Sequence, residues 1–137
     1  MQVLGDVTNE RIAIGLRLRR GRLCARLSGL SEQERAAQVA LMQEAVARAW
    51  NVPVTELRAS TRCKAPVAFA RQVAMYLTHV SFGMNLSAVG RHFGRDRTTA
   101  AYACRHIEDK RDDRDFDLML DRLEIAVRHR PLMERRQ

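Results

Sequence analysis

Three polar residues, each standing just ahead of an apolar stripe, constrain this chain more than any other feature: Ser31, Asn85 and Asp96. Such side chains accept hydrogen bonds from the unpaired N–H groups of a helix's first turn, so they mark where helices begin. Glu34 follows Ser31 at the spacing of a capping box, and Val39, Met42, Val46 and Ala49 then recur on one face, which predicts a helix over 31–50. Residues 51–57 read as a turn around Pro53 into a short helical piece, and 58–65 as a basic loop. Pro66 suits the first turn of the next helix, which carries Phe69, Val73, Leu77 and Val80 inward until Gly83 stops it. Asn85 opens a short helix to 93, Gly94 makes a turn, and Asp96 opens another over 97–110. After a polar hinge at 112–115, a last helix over 115–129 bears Phe116, Leu120, Leu123 and Val127 on one stripe, with Pro131 just beyond it. The fold class is all-α.

Composition agrees. Of 137 residues, 46% are hydrophobic and only 5% aromatic, enough for one helical core and poor material for a β-sandwich. No apolar run approaches the length that spans a membrane, and the start of the chain does not resemble a secretory signal. Cysteines at 24, 63 and 104 make neither a disulfide framework nor a zinc knuckle, which fits a reducing cytoplasm. Charge is distributed unevenly. Residues 1–107 hold 16 basic and 7 acidic side chains, 108–124 hold 4 and 8, and 125–137 hold 4 and 1. A basic body followed by an acidic segment suggests a polyanion-binding face and another that avoids polyanions; a generally arginine-rich surface is the plainer alternative. The basic stretch 8–27 carries Arg11, Arg17, Arg19, Arg20, Arg22 and Arg26 together with Ile12, Leu16, Leu23 and Leu27 at helical offsets. Gly15 and Gly21 weaken a continuous helix there, so this is either a short amphipathic helix or a loose arm. As an arm it would add affinity for polyanions without sequence preference.

Two short helices divided by Gly94 make a helix-turn-helix candidate. In the second, Ala100, Ala103, Cys104 and Ile107 share the inward face, which sets Arg97, Thr98, Ala101, Tyr102 and Arg105 outward together. A guanidinium, hydroxyls and methyl groups near a helix N-terminus are what a recognition helix offers to base edges in a major groove. An ordinary helical hairpin shows the same periodicity.

The residues themselves go further. Phe69-Ala-Arg-Gln-Val-Ala-Met-Tyr-Leu77, followed by Gly94-Arg-Asp-Arg-Thr-Thr-Ala-Ala-Tyr-Ala-Cys-Arg-His-Ile107, closely resembles the C-terminal DNA-binding domain of the bacterial replication initiator DnaA. The resemblance covers about residues 38–110, and two separate motifs agree in order and spacing. It implies a small helical domain with a helix-turn-helix that binds double-stranded DNA in the major groove, and a basic loop entering the adjacent minor groove. By that resemblance Arg71 and Gln72 match residues that touch phosphates, and Leu86 and Ser87 match positions that approach the DNA. Arg95, Asp96, Thr98 and Thr99 match the signature turn, with Asp96 and Thr98 at base-contacting positions; Arg62 and Lys64 fall in the basic loop, and Arg105 lies on the outward face. This sequence departs from the family at three points. Cys63 stands where the minor-groove arginine aligns, Arg97 replaces the signature histidine, and Ser87 replaces a proline.

The glycines at 5, 15, 21, 29, 83, 90 and 94 never precede a lysine, so the phosphate loop of an ATPase module is absent and no nucleotide is expected. His79, His92, His106 and His129 share no metal-ligand spacing, Cys104 and Trp50 read as core residues, and no nucleophile–base set suggests an enzyme. The organisation expected is a basic arm over 1–30, a helix-turn-helix domain over 31–111 and a C-terminal helix and tail over 112–137. The function expected is a sequence-specific DNA-binding transcription regulator of the cytoplasm and nucleoid, without cofactor or metal. The alternative is an adaptor or replication-regulating protein working through a protein partner. The C-terminal helix is expected either to pack back on the domain or to form an interface with a second copy or partner, facing away from DNA because Asp112, Asp113, Asp115 and Asp117 repel phosphates.

Overall fold

The structure is a computed structural model that describes residues 30–59 and 64–134, with side chains to residue 127. The described residues form six helices and no strand: α1 (Glu32–Trp50), α2 (Val54–Arg58), α3 (Ala65–Phe82), α4 (Leu86–His92), α5 (Arg97–Lys110) and α6 (Arg114–Glu134). The stretch 8–27 and Arg62 lie outside the described residues.

Each start signal acts as its chemistry requires. Ser31 Oγ accepts from the Glu34 N–H at 3.2 Å while Glu34 Oε2 accepts from the Ser31 N–H at 3.0 Å, closing the capping box of α1. Asn85 Oδ1 accepts from Ala88 N at 2.8 Å to open α4, and Asp96 Oδ1 accepts from Thr99 N at 2.8 Å to open α5. At the other end of α1, Asn51 takes a left-handed conformation, φ 54°, one of the few such conformations a side chain other than glycine tolerates.

α3 is the central helix. It packs against α1, α5, α2, α4 and α6, and along most of its length every face is covered. Ala70, Val73, Ala74, Leu77 and Val80 are fully buried, and Thr78 satisfies its hydroxyl by donating to Ala74 O at 2.7 Å. Val39, Met42 and Val46 of α1 pack into the same core as Ala100, Ala103 and Ile107 of α5. Trp50, Phe69 and Phe116 meet as an aromatic cluster joining α1, α3 and α6, with Trp50 half-buried and edge-on to both phenyl rings.

The C-terminal helix packs back onto the domain. Leu120 and Val127 are buried in the core, with Phe116 and Leu123 half-buried beside them. Its length differs from the expectation: it begins at Arg114 and runs past Pro131 to Glu134 instead of ending near 129. A proline inside a helix removes one N–H donor, yet elsewhere in the helix the bonds to earlier carbonyls can continue.

Arg111, directly after α5, ties α6 in place. Its guanidinium is buried and donates to Asp117, to Asp121 at 2.7 Å, to Glu124 at 3.4 Å and to the Tyr76 hydroxyl at 3.3 Å. It also lies over the Tyr76 ring, 5.8 Å from the centroid. Burial alone would favour the neutral form, but Tyr76 and the Asp117 carboxylate outweigh it and hold the group charged, above its ordinary range. Part of the acidic segment after α5 therefore faces inward, toward one arginine.

Candidate nucleic-acid interface

The turn between α4 and α5 is tighter than Gly94 alone explains. Gly94 supplies a positive φ of 64°, which a side chain would strain. Gly90, one turn earlier, is fixed by close approach: its carbonyl accepts from Arg95 N at 2.7 Å, and a Cβ at this position would stand 2.5 Å from the Arg95 carbonyl oxygen. The sequence reading did not assign Gly90 this role, because a close backbone approach leaves no mark in spacing.

This turn sets α5 across the domain with its small side chains inward. Ala100 and Ala103 are buried to within 1% exposure, and Cys104 and Ile107 complete that face. Arg97, Thr98, Thr99, Tyr102 and Arg105 are all exposed, and Ala101 is half-exposed among them. Hydroxyls, methyls and two guanidinium groups thus share one surface, around the N-terminal half of the helix where the dipole is positive. Asp96 lies at its edge. Hydrogen bonds from the Thr99 side chain and then from its N–H hold the Asp96 carboxyl below the usual carboxylate range. Asp96 is thus the cap of α5, and its carboxylate is oriented by that duty.

Tyr102 is 63% exposed and stacks flat on His106, rings 5.9 Å apart at 5°. Phe69 meets His106 edge-on, and Lys110 Nζ lies 5.2 Å over the Phe69 ring. From the exposed Tyr102 through the half-buried His106 and Phe69, a run of rings continues the α5 surface toward α3. Periodicity placed Tyr102 outward, but only the fold brings Phe69 of α3 against His106.

The remaining expected residues fall in three places. Leu86 and Ser87 open α4, half-buried and exposed respectively, Arg95 is half-buried in the turn, and Lys64 is exposed at the N-terminus of α3. Gln72 is half-buried on α3. Arg71 is placed differently from the expectation of a phosphate contact. It is buried, and its guanidinium donates to Leu57 O at 3.1 Å, Glu56 O at 2.7 Å and Ala59 O at 3.0 Å. These carbonyls sit at and just beyond the C-terminal end of α2, where the helix dipole is negative, so a cation there is stabilised by converging acceptors and by the dipole. Arg71 anchors the start of the 58–65 loop and does not project from the surface.

Among the described residues no group of three or more His, Cys, Asp and Glu side chains gathers to hold a metal, and no described helix is long and apolar enough to cross a membrane.

A short helix, a glycine turn and a second helix with a polar outward face define the helix-turn-helix class of DNA-binding domain. Residues 39–107 match the family model described as the bacterial DnaA protein helix-turn-helix, and the chain belongs to that family. Its relatives include the chromosomal replication initiator protein DnaA of Mesorhizobium japonicum, 48% identical over 69 residues, which is 50% of this chain and 14% of the relative. That of a Thermoanaerobacter strain is 35% identical over 81 residues, 59% of this chain and 18% of the relative. One of Protochlamydia amoebophila is 42% identical over 67 residues, 49% and 15% respectively. The chain thus spans less than a fifth of each of these relatives.

Proposed function

We propose that this chain is a sequence-specific double-stranded DNA-binding protein acting as a transcription regulator, with α5 seated in the major groove. The observation that carries this reading is the exposed set Arg97, Thr98, Thr99, Ala101 and Arg105, held outward by the packed Ala100, Ala103 and Cys104. Arg97 begins the helix that faces the base edges. An arginine there can donate two parallel hydrogen bonds to guanine O6 and N7, which the histidine of the family pattern cannot do. The preferred site therefore carries guanine at the base pair facing Arg97. Thr98 and Ala101 offer hydroxyl and methyl contacts beside it. Leu86 and Ser87 approach the backbone at the start of α4, Gln72, Arg95 and Arg105 bind phosphates, and Arg62 and Lys64 reach toward the minor groove.

Arg71 contributes indirectly, by holding the carbonyls from which the basic loop departs. A second reading, a replication-regulating adaptor working through a protein partner in the same nucleoid setting, draws on the exposed Leu118 and Ile125 of α6, on an element that carries none of the proposed DNA contacts.

Selection of bound sites from a random duplex pool tests the first reading. A recovered motif, with affinity falling steeply between about 50 and 200 mM salt, supports it. Absence of duplex binding at low salt overturns it in favour of the adaptor.

A further inference from the structure

Tyr102 belongs to none of the proposed DNA contacts, yet it stands among them. Counted around α5 from Thr98 at about 100° per residue, Arg105 lies at about −20°, Tyr102 at about +40° and His106 at about +80°. Ala101 and Arg97 fall on the other side, at about −60° and −100°. Tyr102 and His106 thus form one flank of the outward face, and Arg97 and Ala101 the other. The two tyrosines of the chain differ sharply. The Tyr76 hydroxyl is buried and accepts from the Arg111 guanidinium. Tyr102 is exposed, and among the described residues its hydroxyl has no hydrogen-bond partner.

The Tyr102 ring is braced from the core outward. His106 lies flat against it, and Phe69 of α3 meets His106 edge-on, centroids 6.5 Å apart at 89°. Phe69 packs in turn on Trp50 and Phe116. His106 and Phe69 are half-buried, and Tyr102 is the exposed ring at the tip of this run. A side chain already held in one orientation gives up less freedom when it binds a partner.

The major groove is about 12 Å wide, and a helix with its side chains measures about 10–12 Å. With α5 seated there through Thr98 and Arg105, a phenol ring between them has no room to stay clear of the duplex. Its flank is turned away from Arg97 and Ala101, which face the base edges, so the ring meets the groove wall where the sugar–phosphate backbone runs. A hydroxyl at the end of a braced ring is suited to donate to a phosphate oxygen there. Asp109 shares the stripe but stands seven residues on, about 10 Å further along the axis, beyond the N-terminal half that enters the groove.

On the reading of α5 as a recognition helix, on which this rests, we propose that Tyr102 is a further DNA-contacting residue whose hydroxyl donates to a backbone phosphate, and that His106 is the positioning residue that holds its ring. The contact adds affinity without sequence preference, and a neutral donor adds nothing to the salt dependence.

The test is equilibrium binding of the full chain, over a range of salt, to a duplex carrying the motif recovered by site selection and to its single-base variants. Tyr102→Phe removes one hydroxyl from an exposed position and should weaken binding about tenfold on every variant, with the salt slope and the thermal transition unchanged. His106→Ala should weaken binding less, and should add nothing in a Tyr102→Phe background. His106→Phe restores a flat ring and should return native affinity. Native affinity in Tyr102→Phe overturns the proposal and leaves the reading of α5 standing. So does a loss confined to one base pair, which assigns the ring to a base edge. Failure of His106→Phe to restore affinity overturns the positioning role. A native chain that binds no duplex overturns the reading of α5 itself, and this proposal with it.

Discussion

Two arginines fourteen positions apart bracket α5. Arg97 opens the helix, exposed, on the surface proposed to meet DNA; Arg111 follows its last residue, buried, with three carboxylates and a phenol around it. One presents its donors to a partner molecule, and the other has directed them to its own fold. Desolvation makes the difference. A buried guanidinium must be surrounded by acceptors, and those acceptors in turn become costly if the guanidinium leaves. An exposed one is held by water and can exchange water for a base edge at little cost. Mutations at the two ends should therefore separate cleanly into effects on stability and effects on recognition.

The largest expected effect lies at the buried end. A chain ending at Asp113 loses α6 and with it Leu120, Val127 and every carboxylate partner of Arg111. It should fail to show a cooperative thermal transition by circular dichroism. If it folds with native stability, α6 is not part of the core. Arg111→Ala removes the buried guanidinium shared by Asp117, Asp121 and Glu124 and should cost about 3–5 kcal/mol in urea unfolding. DNA affinity measured well below the new midpoint should stay near native, since Arg111 faces α6.

Arg71 sharpens the comparison, because the family resemblance sets it with the recognition residues and the structure sets it with the buried ones. Arg71→Ala removes a buried donor shared by three carbonyls and should destabilise by about 1–3 kcal/mol. Binding should weaken by a similar factor on every duplex, through a displaced loop. Uniformly weaker binding with unchanged stability would return Arg71 to direct phosphate contact.

At the exposed end, Arg97→Ala should leave the unfolding curve in place and lower discrimination at one base pair by about 1–3 kcal/mol. Affinities for the best site and its single-base variants check this. Equal weakening on every variant would mean that Arg97 turns to a phosphate.

The smallest effect concerns Asp96. Its carboxyl is held below the ordinary range by Thr99, so the folded state binds a proton less readily than the unfolded chain. Its stabilising contribution is complete above the unfolded aspartate pKa of about 3.9 and fades as pH falls through the lower folded value. Asp96→Asn keeps the cap and should remove that acid-side dependence, seen as a shallower fall in melting temperature below about pH 4.

The ends of most helices and the two faces of α5 were legible in the sequence because both depend on local chemistry. A cap needs one side chain and the N–H two or three residues on, as at Ser31, Asn85 and Asp96. Inward and outward positions follow from a period of 3.6 residues, which is why Ala100, Cys104 and Ile107 separated from Arg97, Thr98 and Arg105 without coordinates. The two motifs of α3 and α5 were likewise enough to point to the family. What spacing did not reveal were meetings between distant segments: Gly90 under the Arg95 carbonyl, Phe69 against His106 in the Tyr102–His106 stack, Arg71 on the α2 carbonyls, and Arg111 among carboxylates that had read as a polyanion-repelling run. Whether an arginine serves the fold or a partner is settled by which acceptors surround it after burial, and that surrounding is assembled only when helices far apart in the chain pack together.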